Sequence, residues 1–88
     1  MELVFLNSFE NDLKRIMDKS MLKILKEIVI QLENSNSLSE IENIKKIKGS
    51  KTAFRLRIND YRLGFYFENG IIELCRFVHR KDIYKLFP

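Results

Sequence analysis

Apolar and polar positions along the chain change period several times, and each change marks an element. Leu3 to Leu6 is a short apolar run that reads as a first strand, and Asn7 or Ser8 behind it offers a helix N-cap. Phe9, Leu13, Ile16 and Met17 then recur at helical spacing. Asp18-Lys19-Ser20 interrupts the pattern. Met21, Ile24, Leu25, Ile28 and Leu32 share one face of a second helix, with Lys23, Lys26, Glu27 and Glu33 elsewhere on it. After the polar loop Asn34-Ser35-Asn36-Ser37, the run Ser39-Glu40-Ile41-Glu42 has capping-box spacing. It predicts a short helical turn, docked through Leu38, Ile41, Ile44 and Ile47 and ended by Gly49-Ser50.

From there the period is two. Successive strand side chains point to opposite faces, so Phe54, Leu56 and Ile58 face one way and Arg55 and Arg57 the other. Asn59-Asp60 consists of residue types that tolerate positive φ. A two-residue turn there pairs Ile58 with Tyr61, Arg57 with Arg62, Leu56 with Leu63 and Phe54 with Phe65. Asn69-Gly70 is the strongest turn signal and leads into a strand over Ile71 to Val78. On that register Ile72 and Leu74 face the core, and Arg76 falls on the same parity, which requires a bulge or an edge position. The expected fold is α+β in the order β-α-α-β-β-β. Two N-terminal helices pack on one face of a small twisted antiparallel sheet, in a single domain over residues 1–88. The arginine face is expected to have no helical cover.

Composition narrows the function. A chain of 88 residues with 45% hydrophobic content supports one small core, so any active site is expected to be open on the surface. No apolar run approaches the roughly 20 residues that span a bilayer, and the N-terminus lacks a signal pattern, so a cytoplasmic protein without a membrane partner is expected. Cys75 is the sole cysteine and His79 the sole histidine, which gives no metal-ligand set of usual spacing and no intramolecular disulfide. Neither metal nor cofactor is expected. A net charge of +4 and a pI near 9.3 suit a nucleic acid or an acidic protein as partner.

The candidate chemistry lies in the last third of the chain. Arg55, Arg57 and Arg62, with Arg80 if the last strand delivers it to the same face, form the main candidate site. Like charges directly opposite one another cost stability unless something negative sits between them. Guanidinium groups bind phosphate oxygens through two parallel hydrogen bonds, so a phosphate backbone is the natural ligand. The competing reading is a solvated edge whose arginines pair with Glu68, Glu73 or Asp82. His79 is a candidate general acid or base and Tyr84 a candidate base-stacking residue. Against that stand a simple surface role for His79 and a docking role for Tyr84 with Ile83, Leu86 and Phe87. Lys45, Lys46, Lys48 and Lys81 are candidate contacts to an RNA backbone, or else ordinary solvated lysines. Met17 and Met21 read as core, and Cys75 as a small buried hydrophobe.

The Lys48-Gly49 approach, the strand pair Phe54 to Leu63 and the tail His79-Arg80-Lys81-Asp82-Ile83-Tyr84 together resemble the RelE/ParE superfamily of bacterial type II toxin-antitoxin toxins, on its RelE-like side. The resemblance covers essentially the whole chain. It implies a metal-free endoribonuclease that cuts messenger RNA, often on the ribosome, and that a cognate antitoxin silences in a hetero-oligomer. It further implies attack by a ribose 2′-hydroxyl on the adjacent phosphate, with Arg62 and Arg80 as the phosphate-stabilising pair and Tyr84 positioning the nucleotide. Arg55 and Arg57 stand where well-studied members carry lysines. An arginine effectively cannot give up its proton, which leaves His79, the ribosome or bulk water as the base. Two other readings keep the fold and change the function: a ParE-like toxin that binds DNA gyrase, and an inactive relic that only binds its antitoxin.

Overall fold

The computed structural model describes all of Met1–Pro88. In chain order its elements are β1 (Glu2–Phe5), α1 (Asn7–Lys14), α2 (Lys19–Asn34), β2 (Ile44–Lys46), β3 (Ala53–Ile58), β4 (Tyr61–Glu68), β5 (Ile71–His79) and the single turn α3 (Ile83–Leu86). Two tight turns organise the sheet. Asn59, Asn69 and Gly70 take positive φ values of 52°, 54° and 78°, a conformation that suits asparagine and glycine. The β3–β4 hairpin therefore pairs Ile58 with Tyr61, Arg57 with Arg62, Leu56 with Leu63 and Phe54 with Phe65, the expected register. The β4–β5 hairpin begins at Glu68 opposite Ile71.

The sheet has five strands in the order β1-β5-β4-β3-β2, and two of its strands depart from expectation. It is antiparallel from β2 to β5, but β1 lies parallel to β5, from Glu2 opposite Ile71 to Phe5 opposite Leu74. No tight turn ties β1 to a neighbour. Its direction follows from the long crossover through the helical hairpin, the connection a parallel pair requires. The second departure is β2, which occupies positions expected to be helical. Asn43 takes φ 68°, and the chain then extends along β3, with Arg57 N–H donating to the Asn43 carbonyl and Ile47 N–H to the Ala53 carbonyl. Three residues are too few to show a period of their own.

Local capping differs in detail. The capping box is formed by Ser37 and Glu40 around a 3-10 turn at Leu38–Glu40, two residues before the expected one. Neither Asn7 nor Ser8 is the N-cap of α1. That position is Leu6, and the Ser8 hydroxyl instead donates to the Cys75 carbonyl at 2.6 Å. Met17, expected in the core, is 92% exposed because α1 stops at Lys14 and leaves it in the connection, whereas Met21 on α2 is buried.

Phe9, Met21, Leu25 and Leu32 from the helices meet Leu56, Ile58, Leu63, Phe65, Ile72, Leu74 and Phe77 from the sheet to form the main core. A bulge resolves the parity of Arg76. Gly64 pairs with Arg76 and Phe65 with Leu74, which leaves Cys75 as the extra residue. Arg76 Nε and Nη2 then donate to Asp12 Oδ2 and Oδ1 at 2.8 and 2.9 Å, and Phe77 N–H donates to Oδ2 at 2.9 Å. Asp12 is buried on α1, and its hydrogen bond to Arg76 raises the arginine's pKa above the ordinary value against the effect of burial. The other sheet face is not bare. Ile83 and Phe87 at the two ends of α3 close a second small core with Ala53, flanked by Ile47, Tyr66, Cys75 and Val78.

Asp12→Ala leaves a partly buried guanidinium and the Phe77 N–H without their acceptor, and is expected to cost about 3 to 5 kcal/mol in denaturant unfolding. Asp18 caps α2: its Oδ1 accepts from the Ser20 hydroxyl at 2.6 Å and the Ser20 N–H at 2.9 Å. The Ser20 hydroxyl bond, followed by the Met21 N–H, lowers its pKa below the ordinary 3.8. A lowered folded-state pKa contributes stability that is present above the unfolded value and disappears as pH falls through the folded one. Thermal melts of the wild type and Asp18→Ala should therefore differ by a constant amount above about pH 5 and converge below about pH 4.

Candidate functional site

Strand alternation puts Lys45 of β2, Arg55 and Arg57 of β3 and Arg62 of β4 on the sheet face away from α1 and α2, with Lys45 directly opposite Arg55 and Arg57 directly opposite Arg62. With Asn43, Ile44 and Tyr84 they line an open cleft of about 310 Å3. Each arginine is held by uncharged partners. Arg57 Nη2 donates to Asn43 Oδ1 at 3.2 Å, and Arg62 Nη1 donates to the carbonyls of Asn59 and Tyr61 at 2.8 and 2.9 Å. Arg55 lies under Tyr84, its Cζ 4.8 Å from the ring centroid, and the ring itself is 72% exposed.

The molecule has two ion pairs, Arg76 with Asp12 and Arg80 with Asp60. No carboxylate neutralises the cleft, and the pairing of its arginines with Glu68, Glu73 or Asp82 does not occur. Partial burial first, and then the charges of Arg57, Arg55 and Arg80, lower the pKa of Arg62 from its ordinary value, while Tyr84 opposes them. The guanidinium remains charged at any working pH. Four cations without a carboxylate, set in two directly opposed pairs on the ladders, form a site that an anion stabilises.

The other candidates lie around this cleft or away from it. Arg80 sits at the β3–β4 turn, where its N–H donates to the Asp60 carbonyl at 2.7 Å and its Nε lies 4.0 Å from Asp60 Oδ1. That pair is exposed and holds the guanidinium weakly. His79 does not join the arginines. Its ring lies edge-on to Tyr61, which stacks on the core residue Phe77, and it lines a smaller cavity with Asp12, Arg76 and Asp82. Its Nδ1 accepts from Lys81 N–H at 3.2 Å, so a neutral ring carries its proton on Nε2 and offers the free side as a donor. Lys46 has the parity of Phe54, away from the arginines, and Lys48 and Lys81 are exposed outside the cleft lining. Sequence reasoning missed Asn43, whose side chain and carbonyl both bind Arg57. Its signal was faint: an asparagine, tolerant of left-handed backbone, just before a β-branched residue.

Comparison with known proteins places the chain and its fold in a family. The model described as ParE toxin of type II toxin-antitoxin system, parDE, matches residues 3–84. The chain belongs to that family. It is 38% identical, over 89 aligned positions covering 100% of both proteins, to toxin RelE3 of Methanocaldococcus jannaschii. The RelB-RelE antitoxin-toxin complex from Methanococcus jannaschii contains a chain of the same fold, with a TM-score of 0.82 at 38% identity over 97% of this chain and 99% of that one. The YoeB dimer from Staphylococcus aureus shares the fold at a TM-score of 0.72 and 19% identity, covering 90% and 95% of the two chains. This RelE/ParE superfamily member is thus a toxin of a type II toxin-antitoxin system.

A cleft of this charge makes a quantitative prediction. A single-stranded polynucleotide that neutralises Lys45, Arg55, Arg57 and Arg62 releases counterions, so log K should fall against log salt with a slope of about −3, and Arg57→Ala should make the slope shallower by about 0.7. Fluorescence anisotropy across a salt series measures both.

Proposed function

We propose that this toxin is an endoribonuclease that cleaves messenger RNA, in the cytoplasm and on the ribosome, and so stops translation. One observation carries the reading: Arg55, Arg57, Arg62 and Lys45 converge on an open cleft with no carboxylate among them, under an exposed Tyr84 ring. Such a site suits a phosphodiester with an unstacked base beside it.

In the proposed reaction the ribose 2′-oxygen attacks the adjacent phosphorus and the bond from phosphorus to the 5′-oxygen breaks. The products are a 2′,3′-cyclic phosphate and a 5′-hydroxyl. Arg62, joined from the rim by Arg80, stabilises the charge that builds on the phosphoryl oxygens, and Arg55 and Arg57 hold the flanking backbone. Tyr84 fixes the nucleotide by stacking. Arginines do not exchange protons under these conditions, and His79 faces the other side of the sheet. Our assignment gives the 2′-hydroxyl proton to water or a ribosomal group. Lys45, the cleft's sole amine, supplies the proton for the departing 5′-oxygen. Lys46, Lys48 and Lys81 act only as long-range attraction for RNA.

The resting partner in this reading is a cognate antitoxin bound in a hetero-oligomer, as RelB is with RelE in the archaeal complex of 38% identity. An apolar groove of about 440 Å3 between β1 and the helical hairpin, lined by Phe5, Phe9, Leu13, Leu22, Leu25 and Val29 among others, offers an antitoxin helix a seat.

Arg62→Ala is expected to slow RNA cleavage by about 100- to 1,000-fold with little change in melting temperature, and Arg62→Lys to recover only part of the loss. End-group analysis of cellular messages after expression of the toxin tests the chemistry. Growth arrest with intact messages and stalled replication would overturn it in favour of a gyrase-directed toxin.

A further inference from the structure

The second small core contains a contact that sequence pattern does not explain. Gly64 lies in the middle of β4, buried, where glycine weakens a strand. Its backbone does not need glycine, since its φ is not among the positive ones. The close approach of another side chain does. A Cβ at residue 64 would stand 2.5 Å from Cδ2 and 2.6 Å from Cγ of Phe87, so no side chain fits there while the Phe87 ring is seated. The ring also lies 5.0 Å from that of Tyr66.

This contact sits beside the cleft. Gly64 pairs directly with Arg55 across the β3–β4 ladder, and Arg55 is the residue that Tyr84 covers. Tyr84 belongs to a helix of only four residues, too short to hold its shape alone. It is flanked by two anchors, Ile83 at 1% exposure and Phe87 at 5%, joined by a bond from Phe87 N–H to the Ile83 carbonyl at 2.9 Å. Tyr84 itself stays exposed, with the Arg55 guanidinium under its ring.

We propose that Gly64 and Phe87 form a latch that positions Tyr84 over Arg55, Gly64 by leaving the sheet surface open and Phe87 by filling that opening. Both are positioning residues that act through Tyr84. The catalytic consequence rests on the nuclease reading above; the positioning itself does not.

The test compares Gly64→Ala, Phe87→Ala, Tyr84→Ala and the double variant Gly64→Ala/Tyr84→Ala. NMR first reads the cross-relaxation between the Tyr84 ring and the Arg55 side chain in the free protein. Wild type should show it, and Gly64→Ala and Phe87→Ala should each lose it while melting cooperatively. Cleavage of messenger RNA on programmed ribosomes should fall by about 100-fold in each, the scale of an ångström-sized misplacement of a positioning group. The double variant should cleave no more slowly than Tyr84→Ala alone, because both changes remove the same interaction. In the Gly64→Ala background, Phe87→Leu should restore part of the cleavage by making room for the new methyl group. Persistence of the Tyr84–Arg55 contact in Gly64→Ala, or losses that multiply in the double variant, overturns the latch. If Gly64→Ala does not fold, Phe87→Ala, which adds no atom, decides the matter by the same two readouts. Absence of RNA cleavage in the wild type refutes the nuclease reading, and the NMR contact still decides the latch.

Discussion

Everything in this protein depends on the register of the β3–β4 hairpin. A slip of β3 by one residue against β4 turns Leu56 and Ile58 out of the core and drives Arg55 and Arg57 beneath the helices, where burying charge is prohibitive. The hydrophobic requirement and the chemical one are thus met by a single geometric choice. The same choice has a cost, since it sets Arg57 opposite Arg62. Hydrogen bonds to Asn43 and to the carbonyls of the turn steady these side chains without neutralising them, which keeps their charge available to a ligand.

The two faces of the sheet are stabilised differently. On the helical side a continuous apolar core is completed by one buried ionic device, Asp12 with Arg76 and the Phe77 N–H, made possible by the bulge at Cys75. A charge buried on α1 has few alternative positions, so the pair ties the first helix to one place on the last strand. On the cleft side the cover is one helical turn held by two side chains. Segments with so little buried surface open more readily than the core does.

The cleft also shows how a site can give up stability for function. Arg62 is partly desolvated and surrounded by like charges, the two influences that lower its pKa most. Each disfavours the charged guanidinium, and the like-charge repulsion is the part that an anion in the cleft would relieve. Glycine in mid-strand at residue 64 is a second such concession, since it forgoes side-chain packing within β4 to seat Phe87.

Much of this was legible in the sequence because it is local. Period-two alternation, the Asn59-Asp60 and Asn69-Gly70 turns, and the apolar faces of the helices depend on neighbours within a few residues, and they determined the helical hairpin, the three long strands and the shared face of Arg55, Arg57 and Arg62. What required the tertiary structure is non-local. The parallel direction of β1, the edge strand at Ile44–Lys46 and the partner of Arg76 are set by backbone and side chains that lie far apart in sequence. The same holds for the cleft: its arginines follow from strand parity, but the turn of His79 away from them, the place of Asn43 beside Arg57 and the docking of Phe87 on Gly64 follow only from packing. Periodicity specifies which way a side chain points within its own element. Which elements meet there is decided by how the whole chain fills its core.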